Sequence, residues 1–157
     1  MSDIQIELEE PQSLDANILV TSDFSGFSIS CYGENNGSVS VSPIGGTTPY
    51  SVYWNGSLAA SNFSTWTIDS LQAGVYSMDI VDVNNCEFKD TIVLTQPDSL
   101  EMIIVELTDT CNRGVGKASV TVSGGVQPYN YLWSNGSNFS MYCLLYTSPS
   151  PRDCKTS

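Results

Sequence analysis

Hydrophobic and polar residues alternate along most of this chain with a period of two. Valines alternate with serines in "SVSVS" at Ser38–Ser42, and the segments Val75–Ile80 and Lys117–Val122 alternate in the same way. Successive side chains of a strand point to opposite faces of a sheet, so this period predicts half-buried β-strands. Further strands are predicted at Asn17–Ser22, Tyr50–Trp54, Thr65–Leu71 and Phe88–Thr95. No stretch presents a helical face, and the pattern therefore predicts an all-β chain.

Short turn signals separate the predicted strands. The pairs Asn-Gly, Gly-Gly, Ala-Gly and Asn-Asn recur between them. Glycine and asparagine accept backbone conformations that other residues resist, which makes these pairs typical of tight turns. About seven short strands in roughly 85 residues is the pattern of an immunoglobulin-like β-sandwich. We therefore predict tandem immunoglobulin-like antiparallel β-sandwich repeats, the second of them truncated.

One phrase of the sequence occurs twice. "GGTTPYSVYWNG" begins at Gly45 and "GGVQPYNYLWSNG" begins at Gly124, so the two copies lie 79 residues apart. A second pair of similar segments, "EPQSLD" around Pro11 and "QPDSLE" around Pro97, lies 86 residues apart. Self-similarity of this kind indicates a repeated structural unit rather than a catalytic centre.

The spacing of the copies divides the chain into four predicted segments. Residues 1–10 form the last strand of a preceding repeat, residues 11–97 a complete repeat, and residues 98–142 a partial second repeat. Residues 143–157 contain "CLLYTSPSPRD", which resembles the translated read-through of a sequencing-library adaptor. We expect this tail to be non-native, and a natural Ser/Pro-rich linker is the alternative.

The duplicated phrase predicts a role in folding for each of its residue types. The Gly-Gly pair adopts conformations that a Cβ would forbid, and the proline fixes the backbone just before a strand begins. The tryptophan is expected to anchor the core. The predicted core and turn residues are Gly45, Gly46, Pro49, Tyr50 and Trp54 in the first copy, and Gly124, Gly125, Pro128, Tyr129 and Trp133 in the second.

The charge of the chain argues against several classes of partner and activity. It has 17 acidic and 5 basic residues and no histidine, for a net charge of −12. Nucleic acids and anionic lipid surfaces attract Lys and Arg, so we expect neither as a partner. No apolar run approaches the ~20 residues of a bilayer span, so no membrane insertion is expected. Histidine-dependent triads cannot be built, and we expect no enzymatic activity.

Three cysteines, Cys31, Cys86 and Cys111, lie outside the tail. A bond between Cys31 and Cys86 would close a loop of 55 residues and stabilise the fold by about 4 kcal/mol in the chain-entropy account. We therefore predict a structural disulfide between these two residues, with Cys111 as the counterpart of Cys31 in the second copy. Such a bond implies an oxidising, extracytoplasmic location. Buried free thiols of a cytosolic protein are the alternative.

A calcium site is a weaker prediction. Several oxygen-bearing side chains are expected near the ends of the sandwich, and carboxylate and amide oxygens are the ligands that calcium prefers. The candidate ligands are Glu34, Asp79, Asp82 and Asn84. Their spacing is not that of an EF-hand loop, and solvated turn residues are the alternative. No other cofactor is expected.

Aromatic residues outside the duplicated phrase suggest a sugar-binding surface. Aromatic rings that share one exposed face would offer a platform on which sugars stack. The candidates are Tyr53, Phe63 and Trp66. Packing in the core or between repeats is the alternative, because aromatic side chains dominate the energetics of cores.

The complete pattern resembles the SprB-repeat family, which occurs in very large cell-surface proteins of gliding and other Bacteroidetes-type bacteria. The matching residues are Cys31, Gly45, Gly46, Pro49, Tyr50, Trp54, Ala73, Gly74, Tyr76, Asp82, Asn84 and Cys86. Asn85 stands where the family usually has Gly, but Asn also tolerates the left-handed region. Val52 stands at a usual Tyr position. The resemblance implies a surface-exported, adhesin-like protein.

These observations together predict a fragment of a large secreted protein of the bacterial cell surface. Its role is adhesion, or service as an extended repeat stalk. The expected partners are neighbouring repeats of the same chain and an unidentified surface or glycan ligand. The alternative function is that of a carbohydrate-binding accessory module in a secreted hydrolase.

Overall fold

The structure is a computed structural model that describes residues 10–107, 116–133 and 136–144. Within these residues the secondary structure consists of strands, with no helix. The strands are β1 (Asp15–Val20), β2 (Gly37–Ile44), β3 (Ser51–Trp54), β4 (Ser57–Ser61), β5 (Trp66–Leu71), β6 (Gly74–Val81), β7 (Glu87–Leu94), β8 (Glu101–Leu107), β9 (Gly116–Ser123) and β10 (Met141–Leu144). Their pairings are antiparallel. The predicted all-β antiparallel architecture is confirmed, and the narrower immunoglobulin-like assignment stays a prediction.

The chain divides into two compact units, unit 1 (Met1–Pro97) and unit 2 (Asp98–Ser157). Unit 1 contains a three-stranded sheet in the order β1-β2-β5 and a four-stranded sheet in the order β4-β3-β6-β7. Buried side chains from both sheets form one core, composed of Val39, Val41, Val52, Trp54, Leu71, Met78, Ile80, Ile92 and Leu94. Unit 1 is therefore a sandwich, and the alternating burial along β2 and β3 explains the period of two in the sequence.

Each strand predicted for residues 17–95 is found within two residues of its predicted bounds. The prediction missed β4, whose sequence "SLAAS" has no alternation because it is an edge strand with mostly exposed side chains. A two-residue turn at Asn55 and Gly56 joins β3 to β4, and both residues have positive φ, 47° and 76°. These conformations are the ones that the Asn-Gly signal predicts for a hairpin turn.

The chain enters the sandwich of unit 1 at one end and leaves it at the other. β1 starts with Asp15 opposite Ile44, at the end of β2 that precedes the Gly-Gly turn. The backbone N–H of Thr47 donates to Asp82, so the turn between β6 and β7 lies at this same end, which we call the leading end. β7 starts there and runs for eight residues to the other end, the trailing end. A strand of that length spans about 25 Å.

Unit 2 contains a three-stranded sheet in the order β10-β9-β8. Its β8·β9 register reproduces that of β1·β2, since Ile18 lies opposite Val41 and Ile104 lies opposite Val120. The alternation at Tyr129–Trp133 predicts a strand like β3, but the structure has none there. β3 is held between β4 and β6, and the described part of unit 2 contains no counterpart of either strand.

Several predictions concern residues outside the described ranges. These are residues 1–9 of the predicted preceding strand, Cys111, and residues 145–157 of the predicted tail. The first two tail residues, Cys143 and Leu144, end β10, where they lie opposite Lys117 and Gly116.

Candidate functional site

The first copy of the duplicated phrase closes onto the segment that precedes β1. The backbone N–H of Gly46 donates to the carbonyl of Gln12 at 2.8 Å. Gly45 and Gly46 have φ of 69° and 57°. A Cβ on Gly45 would overlap the carbonyl oxygen of Ser13, so only glycine fits there. We call this arrangement of residues 12–14 against residues 45–50 the Gly-Gly clasp.

Tyr50 closes the clasp from inside the repeated phrase. Its hydroxyl donates to the carbonyl of Gly45 at 2.6 Å. Its half-buried ring meets the ring of Phe63 edge-on, with centroids 6.4 Å apart. The Thr48–Pro49 peptide bond, which lies between Gly45 and Tyr50 in the chain, is cis. The side chain of Tyr50 thus closes a turn that begins five residues earlier, at Gly45. The sequence indicated a role for this tyrosine because it occurs in both copies of the phrase.

Unit 2 contains the same clasp. The backbone N–H of Gly125 donates to the carbonyl of Asp98 at 2.9 Å, and the Tyr129 hydroxyl donates to Gly124 at 2.5 Å. A Cβ on Gly124 would overlap the carbonyl oxygen of Ser99. The Gln127–Pro128 bond is also cis. The two backbone-closing hydrogen bonds, the glycine that excludes a Cβ and the cis proline bond therefore recur, and the two repeated motifs, 79 and 86 residues apart, meet in both units.

A buried carboxylate ties the leading-end turns of unit 1 together. Asp82 is only 4% exposed. Its Oδ2 accepts the backbone N–H of Thr47 at 2.9 Å. Its Oδ1 accepts the N–H groups of Asn84 and Cys86, each at 2.8 Å. One side chain thereby fixes both the Gly-Gly clasp and the turn from β6 to β7, in which Asn85 has a φ of 64°.

The surroundings of Asp82 keep its carboxylate charged. Burial raises the pKa of the Asp82 carboxyl, but the backbone N–H groups of Cys86, Thr47 and Asn84 lower it by more. The result is a pKa below the ordinary value of 3.8. Hydrogen bonds to the charged form favour that form, so this carboxylate is a structural acceptor rather than a proton donor.

The predicted disulfide between Cys31 and Cys86 is wrong for this structure, in which both are free thiols. Residues on either side of Cys31 are bound at the trailing end, since Ile29 donates to the Thr95 carbonyl at 3.0 Å and Gly33 donates to the Gln96 side chain at 2.8 Å. Cys86 immediately precedes β7 at the leading end. The eight residues of β7 span about 25 Å, whereas a disulfide requires Cα atoms within about 7 Å.

The environment of Cys86 also disfavours reaction of its thiol. Although Cys86 is exposed, partial desolvation of its side chain, the negative charge of Asp82 and a side-chain hydrogen bond to Asp82 raise the pKa of the Cys86 thiol. The thiolate is the reactive form of cysteine, so a raised pKa lowers the fraction that can react. Cys86 therefore belongs to the Asp82 turn as a neutral, structural residue.

The four predicted calcium ligands are not brought together. Asp82 and Asn84 share one turn, but the Asn84 amide donates to the Thr47 hydroxyl at 3.0 Å. Asp79 pairs with Lys89 at 3.8 Å, and Glu34 lies in the loop that carries Cys31 at the trailing end. The described residues contain no cluster of three or more His, Cys, Asp or Glu that could hold a metal. Calcium binding stays a prediction.

The three predicted sugar-stacking residues do not share one face. Trp66 packs against the core, where its ring meets Trp54 edge-on at a centroid distance of 5.6 Å. Phe63 also packs against the core, beside Tyr50. Tyr53 alternates with the buried Trp54 along β3 and so points to the opposite, outer face of its sheet. Core packing, the alternative in the sequence analysis, describes Phe63 and Trp66.

Sequence reasoning missed two features of this site. The anchoring role of Asp82 was missed because a carboxylate in a turn suggests solvent or metal as readily as backbone N–H groups. The role of the Gln12 and Ser13 carbonyls was missed because backbone groups leave no residue signature. The recurrence of Pro-x-Ser-Leu before both copies of the Gly-Gly phrase is the signal that could have pointed to these carbonyls, and no comparable signal marks Asp82.

The repeated phrase is similar to a known repeat family. The family model for the SprB repeat matches the chain twice, at residues 28–59 and residues 109–138. The first match contains β2, β3 and the Gly-Gly turn between them, and the second contains β9 and the Gly-Gly turn that follows it. Searches of the curated proteins and of the solved structures gave no match.

Proposed function

We propose, because the SprB-repeat model matches this chain at two regions, that the chain is part of the repeat region of a large bacterial surface protein and extends that protein away from the cell as an adhesive stalk. The family match supports a surface-protein repeat region of the Bacteroidetes type and an extracellular location. The described residues contain no helix long and apolar enough to cross a membrane. The stalk and adhesion roles are our extension of the match.

The path of the chain through unit 1 carries this proposal. The chain reaches β1 at the leading end, where Gln12 bonds to Gly46, and leaves β7 at the trailing end. A unit of this kind advances the chain by the length of its strands, about 25 Å. Each added repeat would therefore add to the length of the proposed stalk.

The short segment that connects the two units is consistent with the proposed stalk. On the unit 1 side, the Gln96 side chain accepts the backbone N–H of Gly33 at 2.8 Å. On the unit 2 side, the carbonyl of Asp98 accepts the N–H of Gly125 at 2.9 Å. Only Pro97 lies between these two bonded residues, and its ring fixes its own φ. The chain therefore has almost no free linker at this point.

The charge and the clasp fit a load-bearing, extended role. A net charge of −12 makes neighbouring repeats repel one another, which favours solubility and extension. The Gly-Gly clasp holds residues 12–14, the segment by which the chain enters unit 1, and Asp82 holds the turn against which that segment lies. The proposed partners are neighbouring repeats of the same chain and an unidentified surface or glycan ligand, and no catalytic step is assigned.

Small-angle X-ray scattering on the monomer peak of a size-exclusion column tests the stiff junction. The variant carries a short Gly-Ser insert between Pro97 and Asp98, and the control carries the same insert in the hairpin turn between Asn55 and Gly56. We expect the junction insert to broaden the distribution of dimensions, because it adds free backbone, and the hairpin insert to leave it unchanged. An unmodified chain as flexible as the junction variant would contradict the proposal.

A further inference from the structure

Strand β8 is an edge strand with apolar side chains on both faces. In the described residues it pairs only with β9, and its other edge bears no strand. Met102 and Ile104 point to one face and are 62% and 48% exposed, while Ile103 and Val105 point to the other and are 64% and 58% exposed. A long, exposed, apolar edge strand is a template for pairing with another strand.

The corresponding strand of unit 1 is less apolar on its exposed face. β1 occupies the same register position as β8, but Ala16 and Ile18 pack against the core and Asn17 places a polar group on the outer face. Natural sheets guard their edges with charges, prolines or bulges. β8 has no such residue between Glu101 and Glu106, so its central four residues are unguarded.

From these observations we propose that β8 is an association edge through which two copies of this chain pair, antiparallel, β8 to β8. A two-fold axis at Ile104 places Ile103 opposite Val105 of the second copy. The same register places Glu106 opposite Met102, so the glutamates do not face each other. A register that placed Glu101 opposite Glu106 would be disfavoured, because like charges directly opposite each other destabilise a pair. In the register centred on Ile104 the strand is therefore complementary to a second copy of itself.

This pairing closes as a dimer. The symmetry operation is a two-fold axis, so both copies use the same strand and no further β8 edge is left open. The backbone groups at the free edge of β8 gain partners, and the sheet becomes continuous through both copies. Each chain carries a net charge of −12, so repulsion opposes the dimer and added salt strengthens it by screening.

Sedimentation equilibrium of the full 157-residue chain in reductant tests the proposal, since reductant removes any disulfide-linked dimer. We expect a monomer–dimer equilibrium that shifts toward the dimer as salt rises. Val105→Lys should weaken the dimer about tenfold or more, because it replaces two apolar cross-strand pairs. The control is Leu19→Lys, the same substitution at the β1 counterpart of Val105, where the exposure is also 58%. Leu19→Lys should leave the dimer unchanged.

Hydrogen exchange separates edge pairing from packing of the open face. Pairing through the edge should slow exchange of the β8 amides in proportion to the fraction of chains in the dimer, because the edge N–H groups become hydrogen-bonded. A dimer that survives Val105→Lys but is lost in Met102→Lys, with no added protection in β8, would instead pack through the Met102 and Ile104 face and would overturn the proposal. A chain that stays monomeric at all concentrations and salt levels would overturn it as well.

Discussion

Units 1 and 2 each contain the same kind of strand pair and the same clasp, but they differ in whether a second sheet covers the pair. The register of β1·β2 recurs in β8·β9, and both Gly-Gly turns bond to the segment before the first strand. In unit 1 Ile18 packs against a core supplied by the four-stranded sheet, whereas its counterpart Ile104 is 48% exposed. Backbone pairing is thus encoded locally within the repeat, while burial depends on a second sheet.

The tryptophans of the two repeated phrases offer the strongest test of this difference. Trp54 is 9% exposed and stacks on Tyr76 at 5.1 Å, so Trp54→Ala should cost unit 1 about 3–5 kcal/mol. Trp133 is half-buried and donates to the Phe139 carbonyl at 2.7 Å, so Trp133→Ala should cost about 1–2 kcal/mol. Denaturant-dependent hydrogen exchange measures each unit separately. Equal losses in the two units would show that the covering sheet does not set the difference.

The glycines of the clasp should respond alike in both units. Gly45→Ala and Gly124→Ala each place a Cβ against a carbonyl oxygen at positive φ, so each should cost about 2–4 kcal/mol. Gly56→Ala is the matched control, because its φ of 76° is equally strained but the space around it is open. It should cost only about 1 kcal/mol. Thermal melts of the three variants check this, and a Gly45 loss no larger than the Gly56 loss would argue against the clasp.

The smallest expected effect is a pH dependence confined to unit 1. Its source is Asp82, whose pKa in the folded state is below 3.8. A lowered pKa means that the charged carboxylate stabilises the fold above the unfolded pKa and that this contribution disappears as pH falls through the folded pKa. The melting temperature of unit 1 should therefore fall by a few degrees below about pH 4, beyond the loss from other groups.

Asp82→Asn isolates that contribution. Asparagine has nearly the same shape but no charge, so the variant should melt lower at neutral pH and should lack this part of the acid-induced loss. Asp79→Asn is the control, because Asp79 is an exposed partner of Lys89 rather than a backbone acceptor. Melting curves between about pH 2 and pH 7 provide the measurement. Parallel curves for Asp82→Asn and the unmodified chain would count against the anchoring role.

Much of the fold of unit 1 was predictable because its strands alternate between core and solvent. β2 and β6 were found from valine, tyrosine and methionine at every second position. β4 was missed because a short edge strand with little burial imposes no pattern on its sequence. The predicted strand at Tyr129–Trp133 was wrong. Alternation shows that a segment could form a half-buried strand, but the strand forms only where neighbouring strands are present to pair with it.

The candidate site was less predictable, because its contacts join residues that are far apart in sequence. Asp82 and Thr47 are recognisable as turn residues, but only the fold brings them within 2.9 Å. The disulfide failed for the same reason. A loop-closure argument depends on the number of residues between two cysteines, whereas a bond depends on where β7 places them in space.

The sequence by itself determined the β class, the repeat and the residues of the clasp, because alternation, self-similarity and the need for glycine at positive φ all leave local signals. Only the tertiary structure decided which end of the sandwich each residue occupies and which face is covered. Those properties arise from pairing between strands distant along the chain. The carboxylate of Asp82 therefore became an anchor, Cys31 and Cys86 became separate thiols, and β8 became an open edge.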